Sequence, residues 1–149
     1  MNFRFAPMMA ATVLSLGLLA PAHATVTPDK LDGVKVVSAD QARDLQAKGA
    51  PMIDTRVAAE YAEKTIKGAI SVTYREKSPK VASFDAKLDS FDLGKLPADK
   101  AAPVVMFCNA GECWRSYKAA TVARDAGHKQ IHWFRGGMPE WNAKGLPTQ

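Results

Sequence analysis

The chain has 149 residues, with 20 Lys and Arg against 15 Asp and Glu, a formal charge of +5, and two cysteines. That length suits one domain, with a core large enough to need neither metal nor disulfide staples. The charges are scattered, without a basic run or interleaved aromatics, which argues against nucleic-acid binding.

Residues 1–24 read as an export signal. Arg4 gives a positive start, Ala6 to Ala20 is apolar and uncharged, and Pro21-Ala22-His23-Ala24 ends in a small-x-small pattern that places cleavage after Ala24. The apolar run is short for a membrane span and lacks a charged stop after it. The mature chain is therefore expected to be periplasmic, free of the membrane and in an oxidising compartment.

Residues 25–33 form an expected loose lead-in, and 34–149 the folded domain. Val34 to Val37 is a strand candidate. Ser38 is placed to cap a helix over Ala39 to Lys48, which Gly49 ends. Pro51 to Asp54 reads as a strand ending in a carboxylate, Ala58 to Lys64 as a short helix, and Ile66 to Val72 as a loop running into a strand. Residues 73–82 are a polar connection. Ser83 is expected to cap a helix over Phe84 to Phe91, with Phe84, Leu88 and Phe91 on one face. Val104 to Phe107, apolar throughout, predicts a central strand buried on both faces. A helix over Ser116 to Ala126 stops at Gly127. Gln130 to Phe134 is a strand, and a last helix over Pro139 to Lys144 follows the Gly136-Gly137 turn. Strands alternating with helices predict an α/β fold, a five-stranded parallel sheet with helices on both faces. In such sheets, sites form beyond the carboxyl ends of the strands, where both Asp54 and Cys108 are expected to sit.

Both cysteines lie in the loop Cys108-Asn109-Ala110-Gly111-Glu112-Cys113-Trp114-Arg115, between the most apolar strand and a helix start. Backbone N–H groups converge at such a place and stabilise a thiolate or a bound anion. A disulfide across so few residues would add little stability, so a reactive role explains the pairing better than a structural one.

Ile53-Asp54-Thr55-Arg56, Glu60-Tyr61 and Ile66-Lys67-Gly68-Ala69-Ile70 resemble the upstream signature of the rhodanese family of sulfurtransferase domains. The segment from Val104 to Pro147 resembles its closing signature, with the Cys loop, Arg115-Ser116, Arg135-Gly136-Gly137-Met138, Trp141 and Lys144-Gly145-Leu146-Pro147. Cys108-Asn109-Ala110-Gly111 is similar to exported single-domain rhodaneses. Two positions depart from the pattern. The family loop places Arg five positions after the Cys, where this chain has Cys113, and Arg115-Ser116 follows two positions later. Thr65 stands where the family often has His.

The resemblance implies a rhodanese-like fold and a periplasmic sulfurtransferase with Cys108 as nucleophile and persulfide carrier. Sulfur would pass from thiosulfate or a related donor to cyanide or a thiol. Asn109, Ala110, Gly111, Glu112, Cys113, Trp114 and Arg115 would form the substrate loop. Gly111 would let the backbone bend around the sulfur, Glu112 would face solvent, and Arg115 would bind the donor anion in a forked manner or lie solvated in the first helical turn. Cys113 is open to three readings: a resolving thiol, the partner in a resting disulfide, or a packing residue. Asp54 and Arg56 are expected to form a buried ion pair holding the framework. Trp133 and Trp141 read as packing residues, and His128 and His132 have no ligand-spaced partner, so neither metal nor cofactor is expected. The partners implied are a small-molecule sulfur donor and acceptor, with a periplasmic thiol protein as a further candidate. Two alternative functions stand beside this one. The first is thiol–disulfide exchange through Cys108 and Cys113. The second is a non-catalytic rhodanese-like accessory module in a periplasmic oxidation system.

Overall fold

The computed structural model describes residues 26–149, so the expected export signal over 1–24 lies outside the described residues. Five strands, β1 (Lys35–Val36), β2 (Met52–Asp54), β3 (Ile70–Ser71), β4 (Pro103–Phe107) and β5 (Gln130–Phe134), form one sheet in the order β1-β5-β4-β2-β3. Every pairing is parallel. The helices are α1 (Ala39–Ala47), α2 (Ala58–Glu63), α3 (Trp114–Asp125) and α4 (Gly137–Ala143), with two single 3-10 turns at Ala86–Leu88 and Leu93–Lys95.

Strand β4 shows why the sheet has two cores. Its side chains alternate between faces. Val104 and Met106 join Ile53, Ile131 and Trp133 against Tyr117, Ala120 and Ala123 of α3. Val105 and Phe107 join Met52 and Phe134 against Ala39 and Ala42 of α1 and Met138 and Trp141 of α4. Val104 to Phe107 are all 0% exposed, and each such side chain stabilises the fold by about 1.5–3 kcal/mol. The expected central strand, apolar on both faces, is therefore present.

Helix α1 starts as the sequence predicts. Ser38 Oγ accepts from Gln41 N–H at 3.3 Å, and Gln41 Oε1 accepts from Ser38 N–H at 2.9 Å, which closes a reciprocal cap. Glu140 Oε1 also accepts from Ala39 N–H at 2.8 Å and ties α4 to the same end. Among the described residues no helix is long and apolar enough to cross a membrane.

The helix expected over Phe84 to Phe91 does not form. A single 3-10 turn, Ala86–Leu88, stands in its place, capped by Asp85 rather than Ser83. Leu88 is 52% exposed, whereas Phe84 and Phe91 pack against the core from half-buried positions. The cause is tertiary. Asp89 accepts from Tyr74 Oη at 2.7 Å, Ser78 Oγ at 2.6 Å, and the N–H groups of Lys77 and Ser78 at 2.7 Å. Ser90 pairs its backbone with Arg75. A continuous helix would carry Asp89 and Ser90 away from these partners. Burial raises the Asp89 carboxyl, but the bonds from Ser78, Lys77 and Tyr74 outweigh it and hold the group at about 2. Lys118 of α3, 0% exposed, reaches the same connection, pairing with Glu76 at 3.0 Å and donating to Ser78 Oγ at 2.8 Å.

Other boundaries shift by one or two residues. Strand β1 is shorter than Val34 to Val37, because Val34 instead bridges to Leu31. Helix α2 ends at Glu63. Helices α3 and α4 each begin two residues earlier than expected, and in the first turn of α4 Met138 N–H donates to the Cys108 carbonyl. Residues 26–33 are not loose: Thr27 is 3% and Leu31 8% exposed.

Candidate active site

The carboxyl end of β4 is anchored before the loop begins. Thr55 N–H and Oγ1 donate to the Phe107 carbonyl at 3.1 and 2.9 Å. Cys108 follows, 1% exposed, and its carbonyl accepts from Met138 N–H at 2.9 Å. That contact depends on Gly137, whose φ is +53° and where a Cβ would overlap the Cys108 carbonyl. The loop then turns through Ala110, a non-glycine residue at φ 55°. Cys113 N–H closes the turn on the Ala110 carbonyl at 3.2 Å.

Cys108 and Cys113 are joined by a disulfide, their Cα atoms 6.3 Å apart. Cys108 Sγ lies 3.1 Å from Ser116 Oγ in the first turn of α3. Trp133 Nε1 donates to that same oxygen at 2.9 Å. An indole N–H only donates, so Ser116 accepts from Trp133 and has its own proton free for the sulfur. Once the disulfide opens, that hydroxyl is placed to donate to Cys108 Sγ, while the Cys113 carbonyl oxygen lies 3.2 Å from the same sulfur. The N–H groups of Asn109, Ala110, Gly111 and Glu112 donate to no protein acceptor among the described residues.

A strap from the amino-terminal segment holds the loop from outside. Thr27 N–H and Oγ1 both donate to the Gly111 carbonyl, at 2.8 and 2.7 Å. Arg135 donates to the Thr27 carbonyl at 2.8 Å and to Thr27 Oγ1 at 3.2 Å, and pairs with Asp29 at 3.2 Å. Its guanidinium lies flat against the loop backbone, for a Cβ at Gly111 would sit 2.9 Å from Nη2. Gly111 thus provides close approach, to an arginine rather than to the sulfur.

Two adjoining cavities flank the loop. One, of about 250 Å³, is lined by Glu76, Lys80, Asn109, Glu112, Cys113, Trp114 and Arg115. Cys113 is the cysteine that lines it, half-buried, whereas Cys108 is 1% exposed. Arg115 has no carboxylate partner among the described residues and so brings a free positive charge to this mouth. Glu112 is exposed, as expected, yet it also lines the rim. The second cavity, of about 240 Å³, includes Arg56, Glu60, Lys64, Asn109 and Met138. Asn109 separates the two and donates to Glu60. A larger cavity of about 560 Å³ lies at the amino ends of β1 and β5, against Lys35, Lys129 and His132, and contains no sulfur nucleophile.

Asp54 and Arg56 lie at the end of β2 and form a closed set. Asp54 is 0% and Arg56 6% exposed. Arg56 Nη2 and Nε reach the carboxylate at 2.6 and 3.0 Å, Thr65 Oγ1 donates to it at 2.8 Å, and Arg56 Nη2 also donates to the Lys64 carbonyl at 2.6 Å. Thr65, a departure from the family pattern, thus completes the carboxylate's shell. Among the described residues no cluster of three His, Cys, Asp or Glu could hold a metal ion.

Sequence reasoning left Thr27 and the Ser116–Trp133 relay without a role. A lone Thr in a polar lead-in carries no signal of burial. Ser116 was visible as part of the Arg115-Ser116 pair, but its aim depends on how the loop turns.

Comparison with known proteins agrees with this geometry. A model of the rhodanese-like domain matches residues 38–144. The human single-domain sulfurtransferase TSTD1 is 27% identical, with a TM-score of 0.54 over 73% of this chain and 96% of that one. The polysulfide-sulfur transferase homodimer of Wolinella succinogenes shares the fold, with a TM-score of 0.57 at 24% identity over 78% of this chain and 79% of that one. The tRNA uridine(34) hydroxylase of Nitrobacter hamburgensis is 29% identical over 120 residues, 80% of this chain, which spans only 43% of that relative's length. By its matched span, its all-parallel five-stranded sheet and its cysteine loop at the end of β4, the chain belongs to the rhodanese-like domain family.

Proposed function

We propose that the protein is a sulfurtransferase that carries sulfane sulfur as a persulfide on Cys108. The donor is thiosulfate or a related compound, and the acceptor is cyanide or a thiol. The observation that supports this reading is the Cys108 sulfur at the end of β4, facing the Ser116 hydroxyl and the start of α3. An external thiol first attacks Cys113 Sγ and Cys108 leaves as a thiolate that accepts from Ser116; a second external thiol then takes the first off Cys113 as an external disulfide and frees the Cys113 thiol. That thiolate attacks the outer sulfur of thiosulfate. The bond to the sulfonate breaks, and sulfite departs with the electron pair while Arg115 faces its charge. An acceptor nucleophile then takes the outer sulfur and returns Cys108 to the thiolate. The amino-terminal signal pattern supports an exported, oxidising location for this chemistry.

The test uses the Cys113→Ser protein, in which the disulfide cannot form. Incubation with thiosulfate is expected to add one sulfur atom's mass, and the same protein with Cys108→Ser added is expected to gain none. Equal gain in both would sink the assignment of Cys108.

The disulfide itself favours a second reading, thiol–disulfide exchange with a thiol protein. It expects a trapped mixed disulfide on Cys113, the accessible sulfur, when the Cys108→Ser protein meets its partner.

A further inference from the structure

From the pairing of the two sulfurs we infer a further activity, resting on the sulfurtransferase reading: the protein reduces sulfane sulfur to sulfide, with Cys113 as the thiol that expels it. The backbone already holds Cys113 Sγ where it can bond to Cys108 Sγ, with Cα atoms 6.3 Å apart, inside the usual disulfide range. A persulfide formed on Cys108 therefore has a second thiol beside it before any acceptor arrives. Effective molarities for well-oriented intramolecular attack reach about 10⁵ M or more, so an external acceptor at ordinary concentration loses the competition.

The step balances without a further reagent. Cys113 sulfur attacks Cys108 Sγ, and the new bond is the Cys108–Cys113 disulfide. The bond between Cys108 Sγ and the outer sulfur breaks, and hydrosulfide leaves with the electron pair and the proton that Cys113 gave up. Two thiols are oxidised by two electrons, and the sulfane sulfur is reduced by two. For thiosulfate the sum is one reduced protein plus one thiosulfate giving one disulfide protein, one sulfite and one hydrogen sulfide. Attack on the outer sulfur instead moves the persulfide to Cys113. Cys108 then attacks Cys113 Sγ and reaches the same products. Turnover needs an external thiol reductant, a dithiol or two monothiols, which enters at Cys113 because that residue lines the cavity and is half-buried while Cys108 is 1% exposed.

The chain holds all the cysteine the step requires and no other. Ser116 hydrogen-bonds the sulfur that must act both as attacking thiolate toward the donor and as leaving group toward the reductant. Cys113 follows Cys108 by five positions, and the turn between them brings the second thiol to the first.

The experiment is a single turnover of fully reduced protein, freed of reductant, with excess thiosulfate. Wild type is expected to release one sulfide and one sulfite per chain and to lose the mass of two hydrogens. Cys113→Ser and Cys113→Ala are expected to release sulfite only and to retain the added sulfur, and with cyanide they form thiocyanate at least tenfold faster than wild type. Wild-type protein that keeps the persulfide and yields no sulfide overturns the inference while leaving sulfur transfer intact. If neither wild type nor the Cys113 variants react with thiosulfate, the sulfurtransferase reading falls and this activity with it. The wild-type stoichiometry decides the matter even if both variants fail to fold.

Discussion

Strands β2 and β4 lie side by side, and Asp54 at the end of one pairs with Phe107 near the end of the other. Their carboxyl ends nonetheless reach opposite solutions. At β2 the carboxylate of Asp54 is met by the Arg56 guanidinium and backbone N–H and by the Thr65 hydroxyl, and it is 0% exposed. All its capacity is taken up by the chain itself. At β4, among the described residues, the N–H groups of Asn109 to Glu112 have no protein acceptor, Arg115 has no carboxylate partner, and Cys113 lines a cavity. A strand end in a parallel sheet is therefore not a site by position alone. What separates framework from chemistry is whether protein groups have already satisfied the polar atoms gathered there.

Three substitutions break or sharpen this contrast. The largest effect is expected from Asp54→Ala, which leaves Arg56 buried and unpaired. Stability measured by denaturant should fall by about 3–5 kcal/mol, with sulfur loading per folded molecule preserved. Loss of loading at unchanged stability would place Asp54 in the reaction and erase the distinction between the two ends.

Next comes the strap. Thr27→Val removes one of two hydrogen bonds to the Gly111 carbonyl and a donor target of Arg135. A cost of about 1–2 kcal/mol is expected, together with slower sulfur loading on Cys108. Thr27→Ser should restore both. Rescue of stability without rescue of loading would show that the strap only packs.

The smallest effect belongs to the turn itself. Ala110 at φ 55° carries about 1 kcal/mol of left-handed strain. Ala110→Gly relieves it but gains unfolded-state entropy. A net rise of less than about 1 kcal/mol in unfolding free energy is expected. A marked loss would mean that the alanine methyl makes packing contacts worth more than the strain.

Much of this arrangement was legible in the residue order. The apolar run Val104 to Phe107, the Ser38 cap, the alternation of strands and helices, and the cysteine opening a helix-bound loop all carry local signals. These signals arise from neighbours within a few positions, which is why they survive without coordinates. The helix expected over Phe84 to Phe91 failed for the converse reason. Its spacing is helical, but Asp89 and Ser90 are claimed by Tyr74, Ser78 and Arg75, and those contacts outweigh a weak local preference. Asp54 and Arg56 were readable as an ion pair, whereas the hydroxyl of Thr65 that completes it was not.

Residue order alone thus established the parallel α/β sheet and singled out Cys108 as the group worth watching, because hydrophobic periodicity and turn residues act over short stretches of chain. It left open three fates for Cys113, and it read residues 25–33 as loose. Folding brought the two cysteines within disulfide distance, brought Thr27 onto the Gly111 carbonyl across 84 positions of chain, and turned Ser116 toward the sulfur. Those outcomes depend on how separate segments meet in space, which no local pattern encodes.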